Sequence, residues 1–211
     1  METSIMDVSI IIPYNEDRGY LAAAKQSAEA QEFKGSFEVI LSHSPGSLGT
    51  NSNQGLKSAK GTYIKFLSED DLLPRDSIQL LFDHLTLTQA DWAFANAINI
   101  VDGIETLIKS SEAKLLKGNV IHGGSTMYKT QVLIAAGAYD ETLWTAEEHE
   151  LHLRLLMNKA THSYLDKTTY IYNQHPKSKS VQYRKSNNRT MRNKRKLEIQ
   201  RIKNIYLNTL K

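Results

Sequence analysis

Apolar positions along the first hundred residues come in short, nearly continuous runs rich in β-branched side chains. Val8–Ile12 is apolar except for Ser9 and is closed by Pro13; Phe37–Leu41, Thr62–Leu67 and Asp91–Ile100 repeat the theme. Runs of this length and composition predict strands buried on both faces, as in a parallel sheet. Between them lie polar segments with helical composition. Asp17–Phe33 is rich in Ala, Gln and Glu; Asn51–Lys60 is stopped by Gly61; and Pro74 sits at a helix start, where its missing N–H costs nothing, with the helix running to about Leu85. Strand and helix thus alternate at short spacing, which predicts an α/β fold: a Rossmann-like, mostly parallel sheet with helices on both faces. The second half is less regular. A short strand Ser125–Tyr128 follows Gly123-Gly124, a helix Lys129–Ala136 is closed by Gly137, and a helix Glu147–Met157 packs through its leucines. Two short strands follow, His162–Leu165 and Thr169–Asn173.

Ligands of such sheets bind beyond the carboxyl ends of the strands. Three segments fall there: Pro13-Tyr14-Asn15-Glu16, the 42–47 loop, and Glu69-Asp70-Asp71 within LSEDDLLP. All three are expected to converge on one crevice. Three consecutive acids at a strand mouth repel one another, so a positive group is expected beside them. Hard oxygen ligands suit Mg²⁺ or Mn²⁺ shared with a diphosphate. The alternative is a polar turn in which Asp70 or Asp71 caps the next helix.

The ordered set of segments resembles the family 2 glycosyltransferases with the GT-A fold. The matching stretches are VSIIIPYNE at 8–16, NQGLKSAKGTYIKFLSEDD at 53–71, Gly137-Ala138-Tyr139-Asp140-Glu141, and EEHELHLRL at 147–155, the resemblance covering about residues 8–180. It implies transfer of a sugar, with inversion, from a nucleotide-diphosphate donor (UDP-sugar first) to an acceptor hydroxyl on a glycan or lipid-linked acceptor. Position by position, it implies that Pro13, Tyr14, Asn15 and Glu16 border the nucleobase and ribose. Asn53 and Gly55 would flank the nucleotide. Asp70 would hold the metal with Asp71 in support and His175 completing the shell, and Glu69 would add to the nucleotide side. Glu148 would be the general base, with Glu147 as its understudy, and Gly123, Gly124 and Trp144 would shape the sugar and acceptor pocket. The chain departs from the pattern three times. Pro13-Tyr14-Asn15 is one residue shorter than the usual Pro-Thr-Tyr-Asn. Ser68 stands where the first acid of Asp-x-Asp-Asp belongs, and Ser42-His43-Ser44-Pro45-Gly46-Ser47 replaces Asp-Asp-Gly-Ser, leaving His43 and Ser44 as substitutes near the base. Those departures keep a second reading open, a nucleotide-sugar-binding module without turnover. A sugar-phosphate nucleotidyltransferase is the third reading, but it wants a Gly-rich basic loop after the first strand, where this chain has PYNEDRGY.

Composition narrows the rest. The 211 residues and about 40% hydrophobic content suit one globular domain with an appendage. The absence of cysteine excludes disulfides, zinc–thiolate sites and a Cys nucleophile. No apolar stretch approaches the roughly 20 residues of a membrane helix, and METSIMD lacks the basic and apolar regions of a signal peptide, so a cytoplasmic location is expected. The net charge of +3 is unevenly spread: residues 182–211 hold ten Lys/Arg against the single acid Glu198. Ile199, Ile202, Tyr206 and Leu210 recur there at helical spacing. The chain therefore divides into a catalytic domain over 1–181 and a basic, helical extension over 182–211. The extension is expected to pack on the domain, with peripheral contact to an anionic membrane as a further use and nucleic acid disfavoured.

Overall fold

The computed structural model describes residues 6–111, 121–179, 181–182 and 189–207, with the side chains of 189–192, 203 and 207 outside that description. Among these residues seven strands form one sheet: β1 (Met6–Tyr14), β2 (Phe37–His43), β3 (Gly61–Phe66), β4 (Trp92–Val101), β5 (Ile104–Ile108), β6 (Thr126–Lys129) and β7 (His162–Gln174). β1 pairs in parallel with β2 and with β3. β6 runs antiparallel between β3 and β4. β4 then pairs in parallel with β7 along one edge, and β5 returns antiparallel on the edge β6 has left. Five strands point one way, so the expected α/β class with a mostly parallel sheet is the one observed.

The period-2 alternation of a strand divides the core. Val8, Ile10 and Ile12 face α1 (Leu21–Glu29) and α3 (Ser77–Thr88), packing with Ala24, Ala28, Ile78, Leu81 and Leu85. Ile11, Ile64, Phe66, Trp92 and Phe94 face the other way. There they meet Leu56 of α2 (Leu48–Ser58), Leu133 of α4 (Thr130–Ala135), and Leu151 and Leu155 of α5 (Glu147–Met157). Helices therefore cover both faces, as the sequence pattern predicts.

Several boundaries differ from the pattern. α2 begins at Leu48 because the Ser47 hydroxyl caps it, accepting from Thr50 N–H at 3.1 Å. α1 begins only at Leu21: Asp17 accepts Gly19 N–H and turns the chain before the helix. The helix after Pro74 starts at Ser77, too far on for Asp70 or Asp71 to cap it. The two strands expected near residues 162–173 are one, β7, with register shifts against β4 beside Asn96. Asn96 takes up Asp166 and Tyr164 there, so the ladder continues past the irregularity.

At the C-terminus, α6 (Arg189–Ile202) runs into a π-turn, Lys203–Leu207. Ile202 and Tyr206 pack with Leu143 and Leu153, and the Tyr206 hydroxyl donates to Glu150. The extension is thus docked on the domain as its apolar spacing predicts. Leu210, Ser180 and the basic residues Arg184, Lys185 and Lys211 lie outside the described residues.

Candidate active site

The strand ends put the expected loops together. Pro13, Tyr14, Asn15 and Glu16 at the end of β1, Ser68 to Asp71 after β3, Gly123 before β6, and Trp144, Glu147 and Glu148 around the start of α5 line one crevice of about 830 Å³. That is within the usual range for a small-molecule site.

On the β1–β2 side, Tyr14 stacks on His43 with ring centroids 4.8 Å apart, and His43 Nε2 lies 3.0 Å from Asn15 O. Asn51, buried on α2, fixes the next turn. Its Oδ1 accepts from Ser44 N–H at 2.6 Å and Ser44 Oγ at 2.8 Å. His43 and Ser44 therefore brace the loop behind Tyr14. Asn53 is turned elsewhere: its amide donates to Tyr139 O and Glu141 Oε1 and accepts from Tyr139 N–H, all at 2.9 Å. Gly55 lets α2 close on β1, since a Cβ there would stand 2.4 Å from Ile11 Cγ2. Neither Asn53 nor Gly55 lines the crevice.

The acidic loop is pinned to β7 by paired backbone hydrogen bonds between Leu72 and Ile171, at 3.0 and 2.9 Å. Asp71, 1% exposed, accepts from Tyr170 Oη at 2.6 Å and Asn173 N–H at 2.8 Å. Burial, and then the charge of Asp70, push its pKa well up. Asp70 instead meets the open end. Its Oδ2 lies 3.0 Å from His175 Nε2 and 3.1 Å from the Arg18 guanidinium. Arg18 also donates through Nε to Glu69 Oε1 at 2.6 Å. Burial nevertheless outweighs Arg18 and raises the Glu69 pKa. The His175 ring stacks on Tyr20, and its Nδ1 accepts Lys177 N–H at 3.2 Å. That bond places the proton of the neutral ring on Nε2, aimed at Asp70. To ligate a metal through Nε2, His175 would have to give up the Lys177 bond.

The base side is built by α5. Ala146 takes a left-handed φ of 62° just before the helix, and Glu147 and Glu148 then fall in its first turn, where the macrodipole favours acids. Glu148 lies over Gly123, where a Cβ would come within 2.1 Å of its Cγ. Burial, reinforced by Glu147, pushes the Glu148 pKa up to about 7. Glu147 is buried and accepts from Lys179 Nζ at 3.1 Å. Lys179 also donates to Trp144 O and sits 5.0 Å above the Trp144 ring. Gly124 is beneath the crevice, against the Tyr170 ring.

Arg18, Asn51, His122, Lys179, Arg195 and Ile199 also line the crevice, and the sequence reading gave none of them a place in the site. For Arg18 a signal existed: three adjacent acids called for a positive group, and the nearest cation after the first strand is Arg18. Lys65 leaves no such trace. It reads as a lapse in an apolar strand, yet it is fully buried, donates to Gly124 O and Thr126 O, and carries a pKa lowered by burial to about 7.

Among the described residues no group of three or more His, Asp and Glu side chains forms a metal cage. Cations that bind with a diphosphate need only one or two carboxylates, the phosphates supplying the rest. The donors present fit that kind of site: Asp70 at the open end, and Glu69, 7% exposed, whose Oε2 is buried without a hydrogen-bond partner.

The profile of the family described as "Glycosyl transferase family 2" matches residues 10–139. The chain therefore belongs to glycosyl transferase family 2. No curated protein matches it. Among solved structures it is similar to S. aureus TarS 1–349, with a TM-score of 0.66 at 20% identity over 80% of this chain and 60% of that one. The same protein in complex with UDP gives 0.67 at 21% over 85% and 63%. Its complex with UDP-GlcNAc gives 0.67 at 21% over 81% and 59%. At this identity the likeness establishes the fold, and the chain spans less than two thirds of the length of these structures.

Proposed function

We propose that the chain is an inverting, metal-assisted glycosyltransferase that moves a hexose from a UDP-sugar to an acceptor hydroxyl on a glycan or lipid-linked molecule. The observation that carries this reading is the presence, in one crevice at the carboxyl ends of the strands, of a carboxylate with its pKa near 7, Glu148, and an open-end acid, Asp70. UDP is favoured because the similar TarS structures hold UDP and UDP-GlcNAc. Tyr14, braced by His43, offers an aromatic surface for the base.

In the reaction Glu148 accepts the acceptor hydroxyl proton as that oxygen bonds to the anomeric carbon. The bond from that carbon to the diphosphate breaks, and its electron pair leaves with the diphosphate. Mn²⁺ or Mg²⁺ held by Asp70, with Asp71 shaping the loop and His175 beside it, would neutralise the departing charge. Glu147, tied to Lys179, raises the basicity of Glu148 and helps to hold the helix start. Trp144 and Gly123 bound the space left for sugar and acceptor. A second use belongs to α6 and the π-turn after it, which expose Leu197, Ile205 and Lys196, a surface suited to peripheral contact with an anionic membrane.

Calorimetry with UDP, GDP, dTDP and CMP, with and without Mn²⁺, tests the reading. Mn²⁺-dependent UDP binding that is lost in Asp70→Ala is expected. No nucleotide binding in any condition would overturn it.

A further inference from the structure

Arg18 joins three segments far apart in sequence. From the loop after β1, its Nε reaches Glu69 Oε1 at 2.6 Å and its Nη2 reaches Asp70 Oδ2 at 3.1 Å. Its Nη1 donates to Lys177 O, in the loop after β7, at 2.8 Å. One guanidinium thus spans the end of the crevice where the acids lie, at 25% side-chain exposure. The Asp70 oxygen it holds is also the one facing His175. A divalent cation approaching Asp70 meets two positive or proton-bearing groups already on that oxygen. Yet the acids are not saturated, because Glu69 Oε2, in a side chain more than nine-tenths buried at the crevice wall, has no partner.

We propose that Arg18 is a built-in counter-cation that keeps Asp70 closed to a bare metal ion. On this reading it releases Asp70 only when metal and nucleotide arrive together, and its guanidinium then turns to the diphosphate. A planar fork of donors suits both partners, carboxylate before and phosphate after. The inference rests on the glycosyltransferase reading for its second half, the diphosphate, and on the ion pairs alone for its first.

The two halves separate experimentally. Titrating Mn²⁺ alone into the wild-type chain and into Arg18→Gln reads the first. The variant is expected to bind Mn²⁺ at least tenfold more tightly, and a further Asp70→Asn change is expected to remove the gain. Unchanged or weaker Mn²⁺ binding by a normally melting Arg18→Gln chain overturns the proposal. Titrating UDP in the presence of Mn²⁺ reads the second half: at least a tenfold loss is expected in Arg18→Gln, with partial recovery in Arg18→Lys, which keeps charge but not the fork. Undiminished UDP affinity in Arg18→Gln overturns that half. If neither protein binds UDP but Arg18→Gln gains Mn²⁺, the counter-cation role stands and the glycosyltransferase reading falls.

Discussion

At the scale of single residues, the proposed reaction turns on Glu148. Its pKa of about 7, against a usual 4.5, comes first from burial and then from Glu147. A base works ionised, so kcat/KM is expected to rise with pH through a midpoint near 7. Stability runs the other way. The folded-state pKa is raised, so the contribution of neutral Glu148 is fully present below 4.5 and is lost as pH rises through about 7. Glu148→Gln is expected to cost about 10²–10⁴ in kcat while flattening that part of the melting-temperature profile and sparing UDP binding. A pH–rate profile and a pH series of thermal melts check both; full activity in the Gln variant would remove Glu148 from the mechanism. Glu147 and Glu148 could be picked out in the sequence because their place in an ordered set of motifs gave them meaning. The partners that hold the acids of the crevice could not. Lys179 reaches Glu147 across 32 residues, and Tyr170 reaches Asp71 across 99. No local pattern encodes such a pairing.

At the scale of elements, the short turn before β6 couples both poles of the crevice. Gly123 lies beneath Glu148 and Gly124 against the Tyr170 ring, whose hydroxyl holds Asp71. A Cβ at either glycine would approach within 2.1 Å of its neighbour, but the neighbours differ. The Glu148 carboxylate can swing into the crevice, which leaves its Cβ, 2.9 Å from the added methyl, to be relieved by a small shift of the helix start. Tyr170 is fully buried and has nowhere to go. Gly123→Ala is therefore expected to lower kcat, with a smaller drop in melting temperature than the second glycine gives. Gly124→Ala is expected to destabilise by about 1–3 kcal/mol, as overpacking does. Paired thermal melts and rate measurements separate the two; equal behaviour of the two variants would contradict this division. The elements themselves were largely legible, because buried strands and Gly- or Pro-bounded helices leave strong periodic marks. α5 falls where its leucines predict it. The misplacements have local causes: the Ser47 cap lengthens α2 at its start, and the loop through Asp17 delays α1. The resemblance implied a joint place for Gly123 and Gly124 in the pocket; in the structure Gly123 lines the crevice and Gly124 packs against Tyr170.

At the scale of the whole molecule, the alternation of strand and helix was enough to predict the class of fold and the convergence of its loops. It was not enough to predict that β6 inserts antiparallel between β3 and β4, because strand order is decided by long-range pairing. The basic extension was legible as an amphipathic helix, but not as a wall of the crevice. Glu198 accepts Trp144 N–H at 3.2 Å, Lys194 lies 5.7 Å from the Trp144 ring, and Arg195 and Ile199 line the cavity. With Ile202 and Tyr206 turned inward, the outer face keeps Leu197 at 71% and Ile205 at 45% exposure, with Lys196 exposed on the same helix. Exposed apolar residues on a basic helix match the chemistry of an anionic membrane surface, where each Lys contributes about 1 kcal/mol. The chain is therefore expected to bind vesicles containing anionic lipid, more weakly as salt is raised, and not vesicles of zwitterionic lipid alone. No described helix is long and apolar enough to cross a membrane, so this contact would lie along the surface. Replacing Lys196 by Ser removes about 1 kcal/mol, roughly a fivefold loss of vesicle affinity. Leu197→Ser should weaken binding without changing its salt dependence, because it removes apolar contact and no charge. Cosedimentation with the two kinds of vesicle reads these outcomes. Salt-sensitive binding to oligonucleotides with no preference for anionic vesicles would instead assign the basic face to nucleic acid.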